Sequence, residues 1–440
     1  MSIIPTIGFV SLGCAKNLVD TQRLTSALVA MGYNISADYS RCDAVVVNTC
    51  GFIDPAVEES LEAIGEALDN TQKVIVTGCL GAKAKLIKER YPNVSEVYGP
   101  GMRASVIRGI IRHLGQPPQS SRQKIDPSGV ILTPPHYAYL KVAEGCRHHC
   151  TFCIIPSLRG PLRSREEKAI LAEASDLVRR GVKELLVIAQ DSSDYGFDLK
   201  NKSSISTLCR KLSKLGRWLR VHYVYPAPEA DRLVALMGEG LVLPYLDVPL
   251  QHISTPVLKN MKRPGSLEKT IRVIENWRSL CPDIAIRSTF ITGFPGESEE
   301  QFEELLDFLK EAQLDRVGCF PYSNVEGAKA NELEGAIDPQ IREERAQRLM
   351  ELQAEISYQK LEKRVGSTCQ VLIDYISDEG TAVGRSKYEA PDVDGVITFE
   401  KVRGVKAGDF VLAKIMSHDE HDMTAQMVEK TNSPIRFAGI

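Results

Sequence analysis

The chain has 440 residues, 43% of them hydrophobic and 25% charged, and its formal net charge is −3. This composition predicts an ordinary soluble globular protein with about three domains of roughly 150 residues each. It excludes a strongly basic, general nucleic-acid binder. No uncharged apolar run approaches the length of a membrane span, and Met1–Val10 lacks the regions of a signal peptide. We therefore expect a cytoplasmic enzyme without membrane association.

Strands and helices alternate in the first region, Pro5–Leu114. Apolar runs predict strands at Ile7–Gly13, Ala44–Thr49, Lys73–Gly78 and Glu96–Gly99. Amphipathic patterns between them predict helices at Asn17–Met31, Ala56–Asn70 and Lys83–Tyr91. Because the central strands are continuously apolar, this alternation predicts a parallel sheet covered by helices on both faces.

Three of the 11 cysteines immediately follow the first three of these strands: Cys14, Cys50 and Cys79. Parallel strands end at one edge of a sheet, where ligands bind, so we expect the three thiols to converge. An odd number of cysteines in a long chain also favours metal ligation over a disulfide framework. The alternative is three unrelated buried cysteines, since free cysteine is commonly buried. Each of the three has a glycine beside it that lets the backbone approach a bulky inorganic group: Gly13, Gly51 and Gly78.

A segment rich in Pro, Ser, Gly and Gln, Gly115–Gly129, predicts an exposed linker. A second series of strands follows at Tyr137–Val142, Glu184–Gln190, Arg220–Pro226, Tyr245–Leu250, Ala285–Phe294 and Arg316–Tyr322. The helices of this region include Glu166–Arg180, Glu299–Ala312 and the charged closing helix Pro339–Arg364. Six such strand–helix units predict a partial or complete parallel barrel whose active site lies at the carboxyl ends of the strands.

The loop after the first barrel strand holds three cysteines in the spacing C-x3-C-x2-C: Cys146, Cys150 and Cys153. A 4Fe–4S cluster usually takes four thiolates. Three thiolates leave one iron open, as a catalytic metal site requires. The alternative is a zinc site that uses His148 or His149 as its fourth ligand. Zinc sites more often consist of two separated halves, and no second half follows in this sequence.

Polar residues follow later strands at the same end of the barrel. Gln190 follows the second strand, Gln251 follows the fourth, and the segment Gly293–Glu297 (GFPGE) follows the fifth. These positions are candidates for binding a small molecule at the barrel mouth. For the GFPGE segment, a strand-to-helix turn with Ser298 as the helix N-cap explains the residues equally well.

Short strands dominate after Val365, at Thr368–Ile376, Thr381–Arg385, Gly395–Phe399, Asp409–Ser417 and Met423–Val428. Five short strands separated by turns predict a small antiparallel β-barrel. Val365–Ile440 contains 8 Lys/Arg and 12 Asp/Glu, whereas contacts with phosphate need Lys and Arg. We therefore expect a basic protein partner, with direct RNA binding not dominant. The alternative is a stabilising barrel without a partner.

Several motifs resemble those of the radical S-adenosylmethionine (SAM) methylthiotransferases, and the resemblance spans nearly the whole chain. The C-x3-C-x2-C loop, with Phe152 before its last cysteine, resembles the loop that binds the radical SAM cluster. The segments SLGCAKNLVD, VVVNTCGFID and VTGCLGAK resemble the auxiliary-cluster domain, most closely in the ribosomal-protein branch of the family. The C-terminal strands resemble a TRAM domain. The resemblance implies an auxiliary-cluster domain (5–115), a linker (116–131), a radical SAM domain (132–364) and a TRAM-like domain (365–440).

The resemblance also implies cofactors and partners. It implies two 4Fe–4S clusters, each on three cysteines with one open iron, together with SAM and a low-potential electron donor such as flavodoxin. The sequence departs from the family's pattern at Ala15, where proline is expected, at Thr289, which replaces a glycine, and at Glu297, which stands one place late. Contacts with SAM are implied for Phe152, Gln190, Gln251, Arg287 and Gly293.

The implied reaction inserts a methylthio group at the β-carbon of an aspartate of small-subunit ribosomal protein S-twelve. No side-chain base could usefully deprotonate this carbon, because general bases act on protons with pKa values not far from their own. A carbon radical avoids that limit by abstracting a hydrogen atom. Three alternatives are methylthiolation of a tRNA adenosine, electron transfer by a two-cluster carrier, and another radical SAM reaction such as methylation.

Overall fold

A computed structural model of the protein describes residues 4–200, 203–400, 402–431 and 433–434. Residues 1–3, part of the segment in which we expect no signal peptide, lie outside the described residues. So do residues 435–440, the end of the expected TRAM-like domain. Within the described part, no helix combines the length and the apolar character that crossing a bilayer requires.

The first region folds around a five-stranded parallel sheet. Its strands are β1 (Thr6–Ser11), β2 (Asn34–Ser36), β3 (Ala44–Thr49), β4 (Val74–Gly78) and β5 (Glu96–Val97), in the order β2-β1-β3-β4-β5. Its helices are α1 (Ala15–Met31), α2 (Asp54–Asn70), α3 (Ala84–Arg90) and α4 (Arg103–Leu114). Because these helices pack on both faces, β3 and β4 are buried along their whole length, which confirms the expected layered sheet.

Two elements of this region, the strand β2 and the helix α4, were not predicted from the sequence. β2 has only three residues, none of them buried, and pairs with β1, so it carries no apolar run. α4 buries Val106 and Ile110 against the sheet. The four-residue spacing of these two side chains is a helical signal that the sequence analysis missed.

The middle of the chain forms an open parallel barrel. β6 (Tyr137–Lys141) is followed by a short antiparallel ribbon, β7 (Ala143–Glu144) and β8 (Arg163–Ser164), that flanks the cysteine loop. The remaining strands are β9 (Glu184–Ile188), β10 (Trp218–Val221), β11 (Tyr245–Asp247), β12 (Ala285–Thr292) and β13 (Arg316–Pro321). The order β13-β12-β11-β10-β9-β6 leaves β6 and β13 as edges, so the barrel is partial.

Helices connect and follow the strands of this partial barrel. They are α5 (Ile155–Arg159), α6 (Glu167–Arg179), α7 (Ile205–Leu212), α8 (Pro228–Gly238), α9 (Thr255–Asn260), α10 (Leu267–Leu280), α11 (Glu299–Ala312) and α12 (Pro339–Glu362). On the inner face, Val19 of α1 packs with Tyr139 of β6 and with Leu186 and Ile188 of β9. The first domain therefore packs on the barrel beside its β6 edge.

The C-terminal strands close into a barrel. They are β14 (Thr368–Ile376), β15 (Ala382–Arg385), β16 (Ile397–Phe399), β17 (Phe410–His418) and β18 (Met423–Thr431), in the order β14-β15-β16-β18-β17. Four neighbouring pairs are antiparallel, as predicted, and the pair β16–β18 is parallel. β16 and β18 run in the same direction because β17, which lies between them in sequence, carries the chain back to the end at which β16 began.

The C-terminal barrel docks on the amino ends of the larger barrel's strands. Glu184, the first residue of β9, accepts hydrogen bonds from Arg220 (2.8 Å) and from Arg385 of β15 (2.8 Å), and all three side chains are at most 2% exposed. Trp218, the first residue of β10, packs against Phe410 with 5.0 Å between ring centroids. The C-terminal barrel therefore lies at the end opposite to the cysteine loop.

Candidate active site

The structure brings the three strand-end cysteines together at the carboxyl edge of the first sheet. Cys14 precedes α1, Cys50 follows β3 and Cys79 follows β4. The Cys79 amide donates a hydrogen bond to the carbonyl of Thr49 (2.9 Å), and the Cys79 thiol interacts electrostatically with both other thiols. This convergence follows from the parallel pairing of β1, β3 and β4, whose carboxyl ends share one edge.

Glycines leave room beside these thiols. Gly13 has a φ of +84°, and a Cβ at this position would lie 2.9 Å from Cβ and 3.1 Å from Sγ of Cys50. A Cβ on Gly51 would lie 2.7 Å from the backbone nitrogen of Leu80. A side chain at Gly13 would fill space beside the Cys50 sulfur, whereas one at Gly51 would keep the Cys50 and Cys79 segments from approaching each other. The site therefore fits an inorganic cluster held by three thiolates.

Nearby charges affect the protonation of these thiols. Desolvation raises the pKa of Cys14, but the Lys16 ammonium, the backbone amide of Asn17 and the Arg159 guanidinium bring it below its ordinary value. For Cys79, burial dominates and raises the pKa against the opposing charge of Arg159. Because the thiolate is the form that binds metal, Cys14 is the better prepared ligand of these two.

The second triad lies on the loop between β7 and α5, at the carboxyl end of the barrel. The amide of His148 donates to Sγ of Cys146 (3.4 Å), and the amide of Ile155 donates to Sγ of Cys153 (3.5 Å). Hydrogen bonds to cysteine sulfurs are one means by which proteins tune iron–sulfur clusters. The loop therefore offers three thiols and donors suited to a bound cluster.

Burial raises the pKa of two thiols of this loop, to about 11 for Cys146 and about 12 for Cys153. Arg263 opposes this effect, since its charge lowers the pKa of Cys153 and its Nη1 lies 3.8 Å from Sγ of Cys150. Without a ligand, Cys146 and Cys153 are therefore protonated near neutral pH, and cluster binding must release their protons.

The environment of the loop histidines favours the three-thiolate interpretation over a zinc site. The His148 ring stacks on Tyr225 with 4.0 Å between centroids, and its Nε2 pairs with Asp191 (2.7 Å). This pairing directs Nε2 towards a carboxylate. His149 is exposed at the surface.

One side chain connects the two triads. Arg159 ends α5, the short helix after Cys153, and its side chain is 2% exposed. Its guanidinium pairs with Glu144 (2.9 Å) and crosses the domain interface to Asp20 of α1 (3.1 Å). Its positive charge also lowers the pKa of the Cys79 thiol, against the larger opposite effect of burial. The two triads therefore share a common neighbour.

Apolar contacts also join the two cysteine segments. Phe52 and Ile53, which follow Cys50, pack in one cluster with Ile154 and Leu158, which follow the loop triad. The segment after Cys50 is thus in contact with the segment after Cys153.

A cavity of about 640 Å³ opens beside these segments. Its wall combines the segment after Cys50 with the carboxyl ends of the barrel strands, and its lining includes Phe52, Ile53, Phe152, Gln251, Ile291 and Tyr322. Two of these residues, Phe152 and Gln251, are expected SAM contacts. A volume of several hundred Å³ suits a small-molecule ligand.

Comparisons with known proteins match this division of the chain. Residues 140–309 match the Radical SAM superfamily, residues 6–99 match the uncharacterized protein family UPF0004, and residues 365–428 match the TRAM domain. The ribosomal protein uS12 methylthiotransferase RimO of Aeromonas hydrophila subsp. hydrophila is 52% identical over 436 residues, which cover 97% of this chain and 98% of that protein. The RimO protein of Pectobacterium atrosepticum is 53% identical, with 96% and 98% covered. This chain belongs to the RimO family.

Solved structures share the fold of much of this RimO-family chain. The radical SAM methyltransferase TsrM of Kitasatospora setae, solved with cobalamin and a 4Fe–4S cluster bound, has a TM-score of 0.54 at 15% identity and covers 72% of each chain. The cobalamin-dependent radical SAM enzyme OxsB, solved with aqua-cobalamin and SAM bound, has a TM-score of 0.51 at 13% identity. It covers 78% of this chain and 56% of that chain. At these identities the likeness concerns the fold alone.

Gln190, an expected SAM contact, lies in the charged cluster around Arg159 in this RimO-family chain. Its Nε2 donates to Glu144 (2.6 Å). Its Oε1 is buried and has no hydrogen-bond partner within the described residues. Gln190 therefore keeps one acceptor available close to the loop triad.

Gly293 belongs to a turn between β12 and α11. It has a φ of +69°, and a Cβ there would lie 2.4 Å from Cγ of Arg342, which lines the cavity. The amides of Gly293 and Phe294 donate to Glu297, and Ser298 caps α11 through the amide of Gln301. These contacts favour the turn interpretation of the GFPGE segment, and contact of Gly293 with SAM stays a prediction.

Arg287 lies apart from the cavity wall. Its guanidinium pairs with Asp247 (3.1 Å) and approaches Asp394 of the C-terminal barrel (3.6 Å). Thr289 and Ile291, further along the same face of β12, line the cavity instead. Alternate residues of a strand are about 6.6 Å apart, so Arg287 sits one layer deeper. We therefore assign Arg287 to the contact with the C-terminal barrel and leave it out of the proposed SAM site.

No role was predicted from the sequence for Arg159, Arg263 or Asp20. Arg159 follows Cys153 by six positions, within the segment IPSLRG. A cation this close in sequence to three clustered cysteines is a signal that sequence reasoning could have used. Arg263 and Asp20 reach the site only through the tertiary fold.

Proposed function

We propose that this protein is a radical SAM methylthiotransferase that inserts a methylthio group at the β-carbon of an aspartate of ribosomal protein uS12. The observation that carries the proposal is the pair of three-cysteine sites that meet at one domain interface beside a cavity. The uS12 methylthiotransferases of this family match nearly the full length of the chain, which supports the same substrate.

Each site would hold a 4Fe–4S cluster. Cys146, Cys150 and Cys153 would hold the radical SAM cluster in segment 132–364, and Cys14, Cys50 and Cys79 the auxiliary cluster in segment 5–115. When bound, these clusters supply the electron that cleaves SAM reductively and the sulfur that is methylated and transferred. Three thiolates per cluster leave one iron free for a non-protein ligand, which both tasks require.

The other residues of the site bind ligand and exclude water. We propose that Phe152, Gln251 and Gln190 contact SAM, since the first two lie on the cavity wall and the third offers a buried acceptor. Phe52 and Ile53 cover the gap between the two cysteine segments with apolar surface. Exclusion of water there protects a reactive radical from side reactions.

The proposed reaction also defines partners. It needs an electron donor of low potential, for which a flavodoxin is the proposed candidate, and it takes place in the cytoplasm. The 11 free cysteines fit a reducing compartment. The acidic segment 365–440 fits a basic ribosomal protein better than RNA, so direct RNA binding does not dominate.

A pair of cysteine variants tests the division of labour. After anaerobic reconstitution with iron and sulfide, we expect Cys50→Ala to keep reductive SAM cleavage and to lose the methylthio product. The matched variant Cys150→Ala should lose both, because its cluster supplies the electron. The measurements are 5′-deoxyadenosine release and a methylthio mass increment on uS12. If Cys50→Ala abolished SAM cleavage while the loop cluster remained intact by spectroscopy, the division would be wrong.

Separate assays test the substrate. Ribosomal protein uS12 and unmodified tRNA are each offered to the reconstituted enzyme with SAM and reductant. We expect the mass increment on an aspartate of uS12. A methylthio product on tRNA adenosine, with none on uS12, would overturn the proposed substrate.

A further inference from the structure

Four charged side chains form a closed group between the two cysteine triads. Arg159 and Lys141 are the cations, and Asp20 and Glu144 are the anions, with each cation paired to each anion. The side chains of Arg159 and Lys141 are both 2% exposed. Because the group is balanced and its two cations are buried, removal of either carboxylate leaves excess buried positive charge at the domain interface.

Arg159 has contacts outside this group. Its guanidinium donates to Oδ1 of Asn17, three residues after Cys14. The side-chain amide of Asn17 in turn donates to the carbonyl of Thr49 (2.9 Å), which also accepts a hydrogen bond from the amide of Cys79 (2.9 Å). Through Asn17, one side chain of the radical SAM domain is linked to the backbone that carries the strand-end cysteines.

The backbone of Arg159 lies next to the loop triad. It is the last residue of α5, which begins two residues after Cys153. The carbonyl of the next residue, Gly160, accepts a hydrogen bond from the amide of Cys146 (3.2 Å). The main chain therefore fixes Arg159 to the loop triad while its side chain is fixed to the strand-end triad.

We propose that Arg159 is a positioning residue that sets the separation of the two cysteine triads and, through its charge beside the strand-end triad, raises the reduction potential of the strand-end cluster. The inference rests on the proposed two-cluster function. A nearby positive charge favours the reduced cluster, which carries one more negative charge, and burial strengthens the effect. The planar guanidinium can hold several acceptors at once, whereas a lysine ammonium supplies the charge without that geometry.

The first test measures the potential of the strand-end cluster alone. The full-length chain carries Cys146→Ala, Cys150→Ala and Cys153→Ala, so that only this cluster is loaded. We expect Arg159→Met to shift the potential to a more negative value and Arg159→Lys to stay close to the parent. Lys141→Met is the matched control, because it removes the other buried cation of the same group, and its potential should stay unchanged. An unchanged potential in Arg159→Met, or an equal shift in Lys141→Met, overturns the proposal.

The second test measures coupling in the enzyme with both clusters. We expect Arg159→Lys to release 5′-deoxyadenosine at the normal rate but to form at least fivefold less methylthio product per SAM cleaved. A ratio equal to that of the wild type would overturn the positioning role. If the wild type itself forms no methylthio product, the proposed function fails, while the potential measurement still tests Arg159.

A third measurement needs no cluster. In the ligand-free protein, the segment Leu80–Lys83 directly follows Cys79. We expect faster amide hydrogen exchange there in Arg159→Met than in the wild type and in Lys141→Met, because Asn17, which holds the Thr49 carbonyl that accepts from the Cys79 amide, loses its hydrogen bond with Arg159. Unchanged exchange in Arg159→Met overturns the proposal even if this variant loads iron poorly.

Discussion

A buried arginine lies beside the loop triad as well. Nη1 of Arg263 lies 3.8 Å from Sγ of Cys150, and its Nη2 donates to the carbonyl of Pro249 (2.6 Å). The guanidinium also stacks over the ring of Tyr225 at 4.4 Å. Its Nε is buried and has no hydrogen-bond partner within the described residues. The side chain is therefore held in place, with its charge directed at a thiol of the loop triad.

Replacement of this arginine should slow SAM cleavage. A hydrogen bond to a charged group contributes about 1.5–3 kcal/mol, so we expect Arg263→Met to release 5′-deoxyadenosine roughly 10- to 100-fold more slowly at full iron loading. The control is Arg272→Met, which changes an exposed arginine on α10. Equal rates in Arg263→Met and the wild type would contradict a role beside the loop cluster.

A single Cβ should block the strand-end site. In Gly13→Ala, the added carbon would lie 2.9 Å from Cβ of Cys50 and occupy the space beside its sulfur. Gly101 is a matched control, because it also has positive φ (+73°) and its Cβ would meet nothing within 4 Å. Both alanines carry a conformational cost of about 1–2 kcal/mol. We expect anaerobic reconstitution to load about half the iron in Gly13→Ala and full iron in Gly101→Ala. Full iron loading of both variants would show that the strand-end site does not need a glycine at position 13.

At the scale of elements, α1 links the first sheet to the barrel. Its first turn holds Asn17, whose side-chain amide donates hydrogen bonds to the backbone carbonyls of Leu12 (3.0 Å) and Thr49 (2.9 Å). Val19 of the same helix packs on the inner face of the barrel, and Asp20 pairs with Lys141 (2.5 Å). The helix that follows Cys14 therefore fixes this cysteine relative to the barrel.

The contact between β9 and the C-terminal barrel depends on a buried carboxylate. Glu184→Gln leaves Arg220 and Arg385 without their common anion, and breaking such a buried pair costs about 3–5 kcal/mol. The exposed pair Arg210–Glu239 gives the control, since Glu239→Gln should cost less than about 1 kcal/mol. Chemical denaturation of the ligand-free protein measures both values. Similar small losses in the two variants would mean that the C-terminal barrel docks mainly through apolar contacts.

At the scale of the whole molecule, the two barrels divide the structure into two ends. The cysteine loop follows the carboxyl side of the first barrel strand, whereas the C-terminal barrel contacts Glu184 and Trp218 at the amino ends of β9 and β10. The C-terminal barrel therefore stabilises the larger barrel from the end opposite to the cysteine loop. A uS12 molecule that contacted both would have to span the length of the barrel.

Low pH should separate the C-terminal barrel from the larger barrel. Burial raises the pKa of Glu389, but the Arg364 and Arg316 guanidiniums outweigh it and hold the pKa at about 2. A carboxylate with a lowered pKa stabilises the fold fully above its ordinary pKa of about 4.5, and this contribution falls as the pH drops towards 2. We expect the fluorescence of Trp218, which packs at the docking interface, to change over this range in the Trp277→Phe background. In Glu389→Gln the change should become smaller, and an identical acid profile would exclude Glu389 as its cause.

The sequence by itself determined the order of the three matched regions and the placement of the two groups of three thiols. Continuous apolar runs in β3 and β4 require cover on both faces, which leads to a parallel sheet and hence to thiols that meet at one edge. The three loop cysteines lie within eight residues, so their proximity needs no long-range information. Sequence patterns are sufficient to predict a feature when the residues that produce it lie close together in the chain.

The tertiary structure decided which side chains surround these thiols. Arg159 reaches Asp20 across 139 positions of the sequence, and Arg263 reaches Cys150 across 113. Arg287 was expected to contact SAM, but it pairs with residues at the deeper layer of the barrel. No periodicity encodes which layer of a barrel a strand residue occupies or which cation crosses a domain interface. These features depend on strand register and domain docking, which follow from the packing of the whole chain.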